Sequence, residues 1–293
     1  MEYNSLNTYL KKTFGTKVYK LALDGGFTCP NRDGTCGRGG CIFCSGGSGD
    51  FSVPVGDDVY SAIERAKEIV GTKNKTGKYI AYFQSFTGTY APVDRLRKLY
   101  MQAVNHPDIV VLDIGTRPDC LGAEVMDLLK ELNGIKPVWI ELGLQTIHPE
   151  TAEYIRRGYP LSVYDEAIRK LKDAGIYTVV HMILGLPGET PEMMAESAEY
   201  IGRSGADGIK LQLLHVLKDT DLYADYMAGK FKTMELCEYI SALEKCVAVL
   251  PEGITIHRLT GDGAKKNLAS PLWSGDKKRV LNEINKVLRP KEE

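Results

Sequence analysis

The sequence predicts an α/β fold, a partial (β/α)6 barrel of the TIM type with an appended C-terminal α/β region. Three observations carry this expectation. Six short, near-continuous apolar runs alternate with stretches of helical spacing between residues 18 and 217, the pattern of parallel strands covered on both faces. No GxGxxG follows the first run, so a dinucleotide-binding doubly wound sheet lacks its usual turn. Polar residues sit at the ends of several different strands, which suits a barrel whose site is assembled from many strand ends.

The elements follow in order. "VYKLALD" (18–24) reads as a strand, and after an intervening loop "DDVYSAIERAKEIV" (57–70) has helical spacing with Asp residues at its start. "YIAYFQSF" (79–86) is a strand followed by a helix over 92–103, and "DIVVLDIG" (108–115) is followed by a helix over 121–133. "PVWIELGLQ" (137–145) precedes helical stretches at 149–157 and 162–174, and "YTVVHMILGL" (177–186) precedes a helix over 190–203. "DGIKLQLLHVL" (207–217) is the sixth strand, after which the rhythm stops. A helix over 233–249, a strand "ITIHRL" (254–259) and a closing helix over 275–288 remain. The organisation expected is an N-terminal helical segment (1–17), the barrel (18–218) and a C-terminal extension (219–293) packed on it.

Composition adds boundaries. With 43% hydrophobic and 26% charged residues the chain reads as an ordinary globular protein. "MEYNSLNTYLKKTFG" has no apolar export core, and no run approaches the ~20 apolar residues of a membrane span. A cytoplasmic protein without a membrane partner is expected. Net charge is −1, but residues 1–38 carry six Lys/Arg against three Asp/Glu and residues 257–293 carry nine against five. Two basic ends on an acidic body would form a basic patch if they met in the fold.

The densest chemistry is "CPNRDGTCGRGGCIFC" (29–44), which holds four of the seven cysteines. In a reducing compartment a disulfide staple is disfavoured. Zinc and an iron–sulfur cluster remain open. Cys41 and Cys44 form a Cys-x-x-Cys pair after Gly39-Gly40, but zinc ribbons usually present two such pairs and this loop has one. A loop leaving the first strand opens at the catalytic end of a barrel, where a cluster with three protein ligands leaves one iron for chemistry. Cys120, Cys237 and Cys246 are scattered and read as isolated thiols.

A first strand leading into a cysteine loop that ends Cys-x-x-Cys, on six βα units, resembles the radical S-adenosylmethionine (radical SAM) superfamily. "TRPD" (116–119), "IELGLQTIHPETAEYIRRGY" (140–159) and "HMILGLPGET" (181–190) are similar to the catalytic subunit of Elongator and its bacterial relatives. "CPNRDGT", "GGCIFC", "GIKLQLLHVLKDTDL" (208–222), "IHRLTGD" and "PLWSGDKK" resemble the bacterial YhcC-like group. The likeness runs from about residue 15 to 288.

The resemblance implies a 4Fe-4S cluster and S-adenosylmethionine, reductive cleavage to a 5′-deoxyadenosyl radical, and an external one-electron donor. Two ligand triads fit: Cys36, Cys41 and Cys44, closer to the common superfamily spacing, or Cys29, Cys41 and Cys44, the long-insert pattern of the YhcC-like group. The resemblance favours Cys29. The acidic turn that often contacts the methionine amine is replaced by "FQSFTGTY" (83–90), which leaves Gln84, Ser85 or backbone carbonyls for that role. Arg117 is expected at the methionine carboxylate and Glu141 or Gln145 at the ribose. His181, Lys210 and Gln212 are further candidates for cofactor contact, with Lys210 and Gln212 facing the barrel interior and a hydrogen-bonded core histidine the competing reading for His181. Phe43, Tyr82, Phe86 and Leu144 are expected at the barrel mouth. Elongator-like relatives modify the wobble uridine of tRNA, and the MnmL type within the YhcC-like group is associated with its 5-substituent. The implied reaction is carboxymethylaminomethyl to aminomethyl, with Arg258, Lys265, Lys266, Lys277, Lys278 and Arg279 as phosphate contacts. A small-molecule or peptide substrate for the same radical chemistry, and a non-catalytic zinc-stapled binding protein, are the competing readings.

Overall fold

The structure, a computed structural model, describes residues 1–46, 52–71, 76–261 and 266–291. The chain begins with β1 (Glu2–Tyr3) and α1 (Leu6–Phe14), whose N-cap Ser5 accepts from the Thr8 amide at 3.1 Å and whose C-cap Gly15 takes the left-handed φ of 70°. Next come β2 (Tyr19–Asp24), β3 (Val53–Pro54), α2 (Val59–Val70), β4 (Tyr79–Phe83), α3 (Val93–Asn105), β5 (Ile109–Thr116), α4 (Ala123–Asn133) and β6 (Val138–Gln145). The helices α5 (Pro149–Tyr154) and α6 (Leu161–Asp173) precede β7 (Tyr177–Leu184), α7 (Pro191–Arg203) and β8 (Gly208–Leu213). The remainder is β9 (Val216–Leu217), α8 (Asp221–Met227), α9 (Leu236–Val249), β10 (Thr255–Arg258), β11 (Leu268–Ser270), α10 (Lys277–Val287) and β12 (Arg289–Pro290).

All six expected barrel strands pair in parallel, in the order β8-β7-β6-β5-β4-β2. The sheet is wider than the sequence rhythm suggests. The two-residue β3 lengthens one edge, and β10, from the appended region, joins the other by pairing in parallel with β8. The extension therefore continues the sheet as well as covering it. The sheet's helix-facing residues and the apolar faces of the helices merge into one large core, with Leu21, Leu23, Phe83, Ile114, Leu142, Leu144, Leu184 and Leu211 each 4% exposed or less. At the N-terminal ends of the strands α1 closes the interior. Leu10 packs with Val18, Ile80, Val111 and Trp139, and Tyr9 lies against Trp139 and Tyr177.

The chain ends meet. β1 pairs in parallel with β12, the Met1 amine donates to the Val287 carbonyl at 2.8 Å, and the Lys291 amide donates to the Tyr3 carbonyl at 2.8 Å. The two basic segments thus lie together. Among the described residues no helix is long and apolar enough to cross a membrane.

Candidate cluster and cofactor site

The cysteine loop leaves the C-terminal end of β2 and folds on itself through short backbone turns. Amides of Cys36 and Gly37 donate to the Pro30 carbonyl at 2.9 and 3.3 Å, Gly40 donates to Asn31 at 2.8 Å, and Cys44 donates to Cys41 at 2.9 Å. Gly39 and Gly40 take φ of 80° and 86°, the left-handed region that glycine enters without a Cβ penalty. Buried Asn31 ties the loop to the barrel. Its Nδ2 donates to the Arg156 carbonyl at 2.6 Å and lies 3.6 Å from Cys41 Sγ. Arg32 donates to the Cys44 and Ser45 carbonyls at 3.4 and 3.3 Å, lies 3.7 Å from Cys44 Sγ and stacks on Phe86.

Cys29, Cys41 and Cys44 line one cavity of about 180 Å³ at the mouth of the barrel. Cys36 does not. It is exposed, lines a separate pocket with Thr89, Tyr90 and Cys120, and sits 3.8 Å from an Arg117 nitrogen. Burial raises the Cys41 thiol to about 11, with the neighbouring Cys44 adding to it and Arg117 and Asn31 opposing.

Of the strand-end residues expected at the site, Gln84, Arg117, Glu141, Gln145 and His181 line this cavity. Ser85 is buried with its hydroxyl 3.4 Å from that of Ser52 and is not among the lining residues. Lys210 is buried beneath the lining, and Gln212, two residues further along β8, does not line it either. Phe43, Tyr82 and Phe86 line the mouth, but Leu144 does not. Leu144 lies on the opposite face of β6 from the cavity-lining Gly143 and Gln145, because strand side chains alternate, and joins the core under the helices.

Two lining residues hold backbone conformations that non-glycine residues rarely adopt: Phe86 at φ 55° and Gln145 at φ 72°. Gln145 falls at a register shift between β6 and β7, and its Oε1 is buried without a hydrogen-bond partner. Thr87 Oγ1, at the same cavity, is also buried and unpartnered. Buried acceptors of this kind cost free energy unless something donates to them.

Below the cavity lies a charge network centred on Glu141. Its Oε1 accepts from Lys20 at 2.8 Å, and its Oε2 accepts from Tyr82 at 2.6 Å, lies 2.7 Å from His181 Nε2, and pairs with Lys210. Lys20 also pairs with Asp113 at 2.5 Å. Burial would raise the Glu141 carboxyl, but Lys20 and Lys210 hold it well below the usual carboxylate range. Burial, with the Glu141 charge adding, lifts Asp113 to about 7 against the pull of Lys20. Burial first and the Lys210 charge second bring His181 down to about 4, so its ring is neutral at pH 7. Both Glu141 oxygens are thus occupied, and Glu141 serves as the counter-charge of the barrel interior.

Arg117 is likewise engaged. It forms a two-pronged pair with Asp119 at 2.9 and 2.6 Å and donates to the Arg157 carbonyl at 2.9 Å. Asp119 more than offsets the cost of burial and holds the guanidinium firmly charged. Arg157, 3% exposed, donates to the carbonyls of Leu144, Thr146 and Tyr159, fixing the end of β6 to the segment after α5.

Sequence reasoning missed Lys20, Asp113, Asn31, Arg32 and Arg157. For the first two a signal existed: a charged residue inside an otherwise apolar strand run must face the barrel interior and needs a partner there. The other three act through backbone carbonyls and leave no spacing to read.

The sulfur arrangement bears on the donor set. A tetrahedral zinc with Zn–S of about 2.3 Å needs thiolates about 3.8 Å apart. Among the described residues the group of three metal-ligating side chains with ligand atoms within 4.8 Å is Glu64, His106 and Asp108, and no three cysteines come so close. Lys67 already pairs with both carboxylates of that group. Three sulfurs spread around a cavity fit a cluster whose cysteines bind different irons, and the unpartnered acceptors of Gln145 and Thr87 fit a polar small molecule beside it.

Comparison with known proteins agrees with this geometry. Residues 33–201 match the Radical SAM superfamily and residues 206–289 match the Radical_SAM C-terminal domain. The chain is 44% identical over 287 residues to the uncharacterized protein YtqA of Bacillus subtilis, covering 98% of this chain and 89% of that one. It is 37% identical over 281 residues to Protein YhcC of Escherichia coli, covering 95% and 90%. It is 28% identical over 178 residues to the tRNA uridine(34) acetyltransferase of Methanocaldococcus jannaschii, covering 60% of this chain and 32% of that protein. In fold it resembles the archaeal Methanocaldococcus infernus Elp3, with a TM-score of 0.68 at 19% identity, covering 92% of this chain and 63% of that one. The chain belongs to the radical SAM superfamily, whose cofactors are a 4Fe-4S cluster and S-adenosylmethionine.

Proposed function

We propose that this radical SAM enzyme acts on tRNA, remodelling the 5-substituent of the wobble uridine from carboxymethylaminomethyl to aminomethyl. The observation that carries the reading is the 28% identity, over 178 residues, to a tRNA uridine(34) acetyltransferase of Methanocaldococcus jannaschii. The joined basic termini support an RNA partner. Of the cations expected at phosphate, Lys265 lies outside the described residues.

Cys29, Cys41 and Cys44 would hold three irons, because these residues line one cavity whereas Cys36 lines a separate pocket. When bound, the reduced cluster and S-adenosylmethionine would supply hydrogen-atom abstraction from the carboxymethyl carbon attached to the amine. Loss of one further electron back to the oxidised cluster and hydrolysis of the resulting imine by water would release the two-carbon unit as glyoxylate and leave the aminomethyl group. The chain's own residues position and protect. Gln145 Oε1 and Thr87 Oγ1, unpartnered at the cavity, would accept hydrogen bonds from the bound cofactor. His181, with Nε2 held by Glu141, keeps a neutral ring toward the same space. Phe43, Tyr82 and Phe86 line the mouth and limit water and stray hydrogen donors.

Anaerobic purification followed by iron and sulfide analysis tests the ligand set. Cys29→Ala is expected to lose the cluster and Cys36→Ala to keep it at about four irons per chain. The opposite result moves the first ligand to Cys36, which lies within the matched residues 33–201 whereas Cys29 does not. For the substrate, tRNA from cells lacking this chain is incubated with reconstituted enzyme, S-adenosylmethionine and dithionite, then digested for nucleoside mass spectrometry. A rise in 5-aminomethyluridine at the expense of the carboxymethyl form is expected, and unchanged nucleosides in the presence of S-adenosylmethionine cleavage would refute the tRNA reading.

A further inference from the structure

A cavity that limits water must still deliver one water molecule to a defined carbon, because an imine separates into aldehyde and amine only by hydrolysis. That step needs a group that takes a proton from water and hands it to nitrogen. Most titratable residues lining the cavity are already committed. Arg32, Arg117 and Arg157 are cations that donate to backbone carbonyls or to Asp119. Glu141 has both oxygens occupied and is held well below the usual carboxylate range by Lys20 and Lys210. Burial pushes the phenols of Tyr82 and Tyr159 upward, away from neutral pH.

His181 is different. It stands on β7 with a side chain 20% exposed in the cavity wall. Glu141 Oε2 lies 2.7 Å from its Nε2, and because Glu141 is ionised, that nitrogen carries the ring's proton. The lone pair therefore sits on Nδ1. Among the described residues Nδ1 has no hydrogen-bond partner, and it is not sealed from solvent. A carboxylate behind one ring nitrogen and an open lone pair on the other is the arrangement of a general base whose charge is balanced as it forms.

The surroundings suit both directions of transfer. The ring is felt by Glu141 of β6, Lys210 of β8 and Arg258 of β10, and Tyr82 of β4 shares the Glu141 oxygen. Lys20 of β2 and Asp113 of β5 stand one ion pair further away. Burial first and Lys210 second hold the ring near 4, so it is neutral at pH 7 and gives up an acquired proton readily.

We infer that His181 is the general base and acid of the hydrolytic half of the reaction, acting through Nδ1 while Glu141 holds Nε2. The inference rests on the tRNA reading above and deepens it by assigning the proton transfers. Water oxygen bonds to the carbon of the protonated imine as Nδ1 takes one of its protons, giving a carbinolamine. That proton passes from Nδ1 to the amine nitrogen. The carbon–nitrogen bond then breaks with its electron pair going to nitrogen, and the remaining hydroxyl proton travels through Nδ1 to the amine. Glyoxylate and the aminomethyl group separate with no electron gained or lost in these steps.

The test follows a single turnover of the holoprotein on tRNA from cells lacking this chain, reading 5′-deoxyadenosine and glyoxylate on one time course. His181→Gln keeps a donor for Glu141 and removes the basic nitrogen. Formation of 5′-deoxyadenosine is expected to stay within about twofold of the parent while glyoxylate release slows about a hundredfold. Quenching into cyanoborodeuteride then returns the stalled imine as carboxymethylaminomethyluridine bearing deuterium. Loss of both products in proportion would make His181 a cofactor contact, and parent-like release would place the base elsewhere; either overturns the inference while leaving tRNA as substrate. A parent protein that forms 5′-deoxyadenosine but no glyoxylate from this tRNA overturns both readings. His181→Asn is run beside the first variant, and iron content shows that each is loaded. Nitrogen-15 NMR of the full-length protein before iron loading gives a readout independent of turnover, with His181 assigned by the signal that His181→Gln loses. A neutral ring with its proton on Nε2 is expected at pH 7, and a proton on Nδ1 overturns the inference whatever the variants do.

Discussion

Glu141→Gln is the most informative single substitution, because one buried carboxylate balances the barrel interior. Lys210, 3% exposed, has Glu141 as its carboxylate partner and Tyr82 as its remaining contact at 3.1 Å. Lys20 keeps Asp113. Removing one member of a buried pair and stranding the other costs about 3–5 kcal/mol. With an unfolding entropy of about 2.1 cal/mol/K per residue, a chain of 293 residues loses about 5–8 °C of Tm.

The pH dependence has a definite sign. Burial lowers Lys210 to about 8 despite Glu141, so the folded state holds its proton less tightly than the unfolded chain does. That penalty is full below the folded value and fades as pH rises toward the unfolded one. In the variant, Lys210 drops further, and the extra penalty is felt at pH 7. At pH 9 both proteins hold Lys210 largely neutral, so the Tm deficit shrinks. Circular-dichroism melts at pH 7 and 9 read it directly. The double variant Glu141→Gln/Lys210→Met removes the stranded cation and is expected to recover part of the loss. A deficit that is the same at both pH values and is not relieved by Lys210→Met would refute the assignment of Glu141 as counter-charge.

Two further outcomes follow from local geometry. Gly88→Ala places a methyl 2.7 Å from Ile114 Cγ2 and 2.9 Å from the Gly115 carbonyl, so a loss of about 1–3 kcal/mol is expected in urea unfolding; an unchanged midpoint would show that the turn after β4 yields. In iron-free protein at pH 8, iodoacetamide is expected to label exposed Cys237 first, Cys41 more slowly because burial holds its thiol near 11, and Cys246, buried and pushed to about 12, only on unfolding. Peptide mass spectrometry gives the order, and early labelling of Cys246 would contradict the packing under α9.

Much of this protein was legible before any coordinates. The six strands stand in the sequence because a parallel sheet buried on both faces must be apolar along its length, and β4 to β8 begin within about two residues of their expected starts. The crowded cysteines, the glycines that let their loop turn and the basic ends are also local facts of composition. Tertiary structure decided what local patterns cannot encode. Whether Cys29 or Cys36 faces the cavity depends on how the loop folds back through Asn31 onto the Arg156 carbonyl. Whether Glu141 meets a ligand or a counter-charge depends on three other strands delivering Lys20, Tyr82 and Lys210 to it. The pairing of β1 with β12 joins residues nearly the whole chain apart, and β10 enters the sheet although the βα rhythm has ended. Periodicity reports which face of an element is buried; the partner that face meets is fixed only when distant strands come into register.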